Sequence, residues 1–133
     1  MGHIPNICEA ISRQKMRTPA RIAVSTGDRS LTYAEVSDFA DDIAHTLIHL
    51  DLQPEQPVAV YMRRDAELPS VLLGIMKAGG AYLPIDPNEP PERIDTMLRI
   101  AGCEIVIGDS ESLATLASHL NSSFVAGLRF LDV

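Results

Sequence analysis

No stretch of this sequence is both long and apolar. The longest hydrophobic runs are short and broken by charge, which excludes a membrane-spanning helix. The opening residues, MGHIPNICEA, lack the apolar core of a signal peptide. Cysteine is scarce: Cys8 and Cys103 stand far apart without paired spacing, where small disulfide-dependent secreted proteins usually carry more, so a reduced, cytoplasmic setting is expected. Each lies in an apolar pattern and is read as a buried, inert thiol. Basic charge is also in deficit, with 11 Lys and Arg against 18 Asp and Glu and a net charge of -7. So acidic a body repels phosphate backbones, and a nucleic-acid partner is not expected. The deficit is uneven, because residues 1 to 29 carry five basic groups against only Glu9 and Asp28. That basic start reads as a solvated helix face, with an interaction arm as the alternative. Internal repeats and low-complexity tracts are absent.

What is present is enough apolar residue, 46% of the chain, to bury one domain's core. Ile4 to Met16 reads as a helix with Ile4, Ile7, Cys8 and Ile11 on one stripe, ended by Thr18-Pro19. Ile22 to Ser25 and Ser30 to Thr32 form strands around the turn residues Thr26 to Arg29, so a small hairpin is expected. Thr32 and Glu35 have the spacing of a capping box, with Leu31 and Val36 as its hydrophobic staple. The following helix puts Val36, Phe39, Ile43, Leu47 and Leu50 on its apolar face, and Asp38, Asp41, Asp42, His45 and His49 on the other. After a loop over 51 to 56, Val58 to Met62 reads as a strand buried on both faces. Asp65 is placed to cap a helix that buries Val71, Leu72, Ile75 and Met76, with Pro69 in its first turn and Gly79 at its end. Ala81 to Ile85 is a strand that Pro84 keeps short. A helix follows from Pro90 or Pro91 to Gly102, then a strand over Glu104 to Gly108. Asp109 or Ser110 caps a helix carrying Leu113, Leu116, Ala117 and Leu120, residues 121 to 123 form a loop, and Leu128 to Val133 a last strand. Strands and helices therefore alternate from residue 58 onward, which predicts an α/β fold with a parallel, Rossmann-like or flavodoxin-like sheet covered on both faces. The expected organisation is one domain, residues 1–133. A helix, hairpin and capped helix occupy 1–56, and the alternating sheet 57–133. Ending on its last strand, the chain reads as cut from something longer.

Motifs that carry chemistry are missing. His45 and His49 stand one turn apart near Asp41 and Asp42, yet HExxH is absent and no third ligand is suggested, so a polar surface face is expected there and no metal site. The glycine pair Gly79-Gly80 runs from helix to strand, whereas phosphate cradles sit where a strand feeds a helix. GxGxxG, GxxxxGK[ST] and GxSxG are all absent. Tyr82 reads as a strand aromatic and Asp86 as a turn residue before Pro87; that either lines a cleft stays open.

One stretch is specific. MKAGGAYLPIDPNEPPERI, residues 76 to 94, resembles the second core motif of amino-acid adenylation domains of nonribosomal peptide synthetases. Leu31-Thr32-Tyr33-Ala34-Glu35-Val36 is similar to their first core motif, with Val36 where leucine is usual, and residues 17 to 30 are similar to the family's entry segment. Acyl-CoA ligases and luciferases share the fold, but their glycine-rich turn rarely reads AGGAYLPIDP. The resemblance implies an enzyme that joins an amino acid to ATP, giving aminoacyl-AMP and diphosphate, and then loads a carrier protein's phosphopantetheine thiol. Of such an enzyme this chain is the first quarter. The phosphate loop, the ribose-binding aspartate, the substrate pocket and the catalytic lysine lie elsewhere in the family. The resemblance therefore implies no catalytic, cofactor-binding or metal residue here, both motifs being structural: a capped helix, and the turn into a central strand. Mg-ATP is implied for the whole enzyme and none for this chain alone. The implied partners are the remainder of the adenylation domain, a peptidyl carrier protein and, in some members, a small helper protein, with no nucleic acid and no membrane. The alternatives are a catalytically dead interaction module that pairs through its last strand, a fragment of an acyl-CoA ligase relative, and a complete small flavodoxin-like domain.

Overall fold

The structure, a computed structural model, describes residues 6–63, 65–120 and 127–133. Eleven elements follow in order among them: α1 (Ile7–Arg17), β1 (Ile22–Thr26), β2 (Arg29–Thr32), α2 (Tyr33–His49), β3 (Pro57–Val60), α3 (Leu68–Lys77), β4 (Ala81–Pro84), α4 (Pro91–Ala101), β5 (Ile105–Gly108), α5 (Ser110–His119) and β6 (Arg129–Asp132). The chain divides into two compact units, Met1–Leu52 with Asp65–Gly79, and Gln53–Arg64 with Gly80–Val133.

The first unit holds α1, the β1–β2 hairpin, α2 and α3. The hairpin is antiparallel, with Thr26 opposite Arg29 across a turn whose Gly27 has a φ of 53°. Thr32 then starts α2. Its hydroxyl accepts from the Glu35 amide at 3.2 Å, and the Glu35 carboxylate accepts from the Thr32 amide at 3.0 Å, closing the capping box. Leu31 packs against the cluster that contains Val36, as a staple requires. At its other end α2 closes with the Asp51 amide donating to Ile48 and the Leu52 amide to Leu47. Asp51 there has a φ of 61°, so an aspartate fills the left-handed position where glycine is usual.

The buried stripe of α2 differs from the expectation. It runs through Val36, Ala40, Ile43, Ala44 and Leu47, while Phe39 and Leu50 are only half-buried. On α3 the buried set is Ser70, Val71, Leu73, Gly74 and Ile75, and Leu72 and Met76 are half-buried. The reason is close helix packing. A Cβ added to Gly74 would lie 2.7 Å from Ile43 Cβ and 2.9 Å from the Ala40 carbonyl oxygen, so small residues, not the largest ones, define the contact line. The first helix also starts later than expected, at Ile7. Asn6 is its cap, accepting from the Glu9 amide at 2.9 Å, and Ile4 lies outside the described residues.

The second unit is a four-stranded sheet in the order β4-β3-β5-β6, every neighbouring pair parallel. Its strand order is of the flavodoxin-like kind, with chain order reversing between β3 and β5. Val58 and Val60 on β3, with Ile105 and Ile107 on β5, are at most 3% exposed on one face. The other face carries Ala59, Tyr61 and Val106, covered by Ile94 and Leu98 of α4 and Leu113 and Leu116 of α5. Gly102 takes a φ of 65° and stops α4, with the Cys103 amide donating to the Leu98 carbonyl at 2.9 Å. The expected loop at 121 to 123 lies outside the described residues.

Candidate functional site

The glycine-rich stretch divides between the units. On the first side, the Ala78 amide donates to Gly74 and that of Gly79 to Met76, and Gly79 has a φ of 87° with nothing within 4 Å of the point where a Cβ would stand. Gly79 is thus required by its backbone angle, not by crowding. On the second side, the Ala81 amide donates to Gln56 and β4 pairs with β3 alone, Val60 opposite Pro84. β4 is therefore an edge among the described strands. The position of Pro84 follows from that, since the amide that bonds Val60 belongs to Ile85 and proline's missing donor costs nothing on an edge. Tyr82 is 46% exposed on that edge. Asp86 accepts from the Asn88 amide at 2.9 Å through its carboxylate and from the Glu89 amide through its carbonyl, making the turn. Its side chain is thus committed to local backbone.

By topology, the place to look for a ligand is the β3/β5 carboxyl end. The residues there are Tyr61 to Arg63, Gly108, Asp109 and Ser110, with Asp132 ending β6 beside them. Several of their polar groups serve local partners. The Tyr61 amide donates to Ile107 at 2.8 Å, and a Cβ on Gly108 would fall 2.1 Å from the Tyr61 carbonyl oxygen. Asp109 caps α5, accepting from the Ser112 amide at 2.8 Å and the Ser112 hydroxyl at 2.7 Å. The Ser112 amide above all, with the nearby Arg63 charge, holds the Asp109 carboxyl below its usual range. Ser110 donates to the Asp132 carboxylate. An anion cradle needs free helix-terminal amides; here the Asp109 carboxylate takes that of Ser112. The glycine at 108 was legible only as a strand end, because its backbone neighbour lies across the sheet.

In the first unit the acidic face of α2, expected as a polar surface face, is partly paired. Asp38 binds Lys15 at 2.5 Å and Asp41 binds Lys77 at 2.6 Å, joining α2 to α1 and to α3. Asp65 does not provide the expected side-chain cap for α3, whose cap position is Glu67 with no side-chain hydrogen bond. Asp65 and Glu67 instead hold Arg29 of the hairpin, at 3.1 Å from Asp65 and 2.9 Å from Glu67. His45 and His49 are exposed, and among the described residues no group of three or more His, Cys, Asp or Glu is placed to hold a metal ion. Cys103 is buried and Cys8 half-buried, and burial pushes both thiols up. Among the described residues no helix is long and apolar enough to cross a membrane.

The family described as AMP-binding enzyme matches residues 11–128 of this chain. The chain belongs to the AMP-binding enzyme family. Within the family it is 44% identical to the AMB antimetabolite synthetase AmbB of Pseudomonas aeruginosa over 117 residues, which is 88% of this chain and 9% of that protein. It is 42% identical to tyrocidine synthase 2 of Brevibacillus parabrevis over 101 residues, 76% of this chain and 3% of that one. Its fold superposes on the nonribosomal peptide synthetase FmoA3 with a TM-score of 0.85 at 34% identity, covering 98% of this chain and 14% of that chain. The N-terminal subdomain of NpsA from Klebsiella oxytoca matches with a TM-score of 0.71 at 27% identity, over 80% of this chain and 28% of that one. These relatives identify the chain as an N-terminal part of an adenylation domain, spanning only a small share of each protein's length.

Proposed function

We propose that residues 1–133 form the N-terminal scaffold of an enzyme that activates an amino acid with ATP. The carboxylate attacks the α-phosphate, diphosphate leaves, and the aminoacyl group passes from AMP to the phosphopantetheine thiol of a peptidyl carrier protein. The observation that carries this reading is the family match over residues 11–128 together with the placement of both motifs in scaffold elements, the α2 cap and the turn from α3 to β4. FmoA3 has been determined with AMPPNP bound, which supports ATP as the nucleotide. NpsA has been determined fused to a carrier protein, which supports that partner.

At the sheet's switch point the Asp109 carboxylate accepts from the Ser112 amide of α5, which supports a reading in which this chain holds no nucleotide of its own. ATP, magnesium and the catalytic groups accordingly belong to the remainder of the adenylation domain, and no catalytic, cofactor-binding or metal residue is assigned to this chain. The reading places the parent protein in the cytoplasm, with or without a small helper protein. ATP–diphosphate exchange tests it. The whole parent enzyme should exchange label in the presence of its amino acid, and the 133-residue chain should not. Exchange by the isolated chain, or a parent inert toward every amino acid, would overturn the reading.

A further inference from the structure

Helix α1 has no fully buried residue. It attaches through Cys8 and Ile11, which pack on the first unit's core, and through Lys15, which reaches Asp38. At about 100° per residue, Arg13 and Arg17 fall one turn apart on the side away from Cys8 and Ile11. Among the described residues neither arginine has an acidic partner. Met16 lies on the flank beside them and is 85% exposed. A shallow depression of about 400 Å³, lined by Asn6, Cys8, Glu9, Ser12 and Arg13, runs along that same flank. An exposed methionine alone is ordinary. Two arginines beside it with no ion-pair partner among the described residues make a local basic face in a chain of net charge -7.

We propose that this face of α1 docks an acidic, amphipathic helix of another protein. Carboxylates one turn apart on such a helix meet Arg13 and Arg17, and an apolar residue on the flank of that pair covers Met16. Glu9 bounds the surface at the amino end, so the partner's acidic residues lie toward Arg17. An extended anionic surface, nucleic acid or membrane, fits less well because it would also meet the remaining acidic body.

The test uses the whole chain and a labelled helical peptide of about 16 residues with a leucine stripe flanked by glutamates, against a counterpart with lysine for every glutamate. Anisotropy should show binding of the acidic peptide, weakened roughly tenfold between about 50 and about 300 mM salt. Arg13→Glu with Arg17→Glu should weaken it at least about tenfold. Met16→Ser should weaken it without changing the salt slope, and Arg93→Glu on α4 should leave it unchanged. If the charge-reversed pair loses its helical circular dichroism, Arg13→Gln with Arg17→Gln replaces it. Four results would overturn the proposal: no binding of the acidic peptide, equal binding of the lysine peptide, equal binding by the arginine variant, or equal loss with Arg93→Glu. So would tighter, arginine-dependent binding to phosphatidylserine vesicles, or sedimentation showing a wild-type dimer that the arginine variant dissolves.

Discussion

Three glycines in this chain are needed for three different reasons, and substitution to alanine should separate them. Gly79 needs only its φ of 87°, with open space around it, so alanine should cost about 1 kcal/mol. At Gly74 the added Cβ meets Ile43 and the Ala40 carbonyl, an overpacking that should cost about 1 to 3 kcal/mol. At Gly108 the obstacle is the Tyr61 backbone, which cannot rotate away, and the loss should be the largest of the three. Urea titration of the three variants checks the order Gly79, Gly74, Gly108; a Gly79 variant as damaged as Gly108 would contradict it. Only the first of these was legible in the sequence, because a helix-ending glycine is announced by its neighbours. The other two depend on atoms that arrive from distant segments.

The helix caps make two predictions of their own. Removing the Thr32 hydroxyl by Thr32→Ala takes away one bond of the capping box and should cost about 1 kcal/mol, visible as a lower thermal midpoint. Adding Glu35→Ala should then cost less than it does alone, since the two side chains act reciprocally. The cap of α5 is sensitive to pH. The Asp109 carboxyl is depressed in the folded chain, chiefly by the Ser112 amide, so its contribution is present above the unfolded aspartate pKa and is lost as pH falls through the folded value. Asp109→Asn should therefore be less stable than the parent near neutrality, with the gap closing in acid, as read by denaturant titration across pH. A gap that widens on acidification would refute this sign. Both caps could be read from the sequence because their chemistry spans only three residues. The clamp of Arg29 by Asp65 and Glu67 could not, since it joins a hairpin to a helix entry far along the chain.

Across the molecule, sheet order decides which strands hold longest. For a fragment that has lost its neighbouring subdomain, the sequence predicts strong exchange protection around 58 to 85 and weak protection over 104 to 133. The observed order β4-β3-β5-β6 divides those ranges differently. β3 and β5 are central and buried throughout most of their length, while β4 is largely exposed. Amides of β3 and β5 should therefore exchange slowest, and those of β4 and β6 faster, by hydrogen-exchange mass spectrometry. Equal protection of β4 and β3 would count against the order.

Local chemistry was enough to place the elements: apolar periodicity gave the helices, β-branched runs gave β3 and β5, and proline, glycine and capping residues gave most of their ends, the entries to α1 and α3 excepted. The same residues carry the family resemblance that the match to known relatives establishes. Packing decided the rest. Which side of α2 is buried, which strand lies at the edge, and which carboxylates meet Arg29, Lys15 and Lys77 depend on contacts between segments remote in the chain. Such contacts leave no periodicity in a single sequence, because burial and charge pairing depend on what lies opposite a residue, and only the folded chain supplies that.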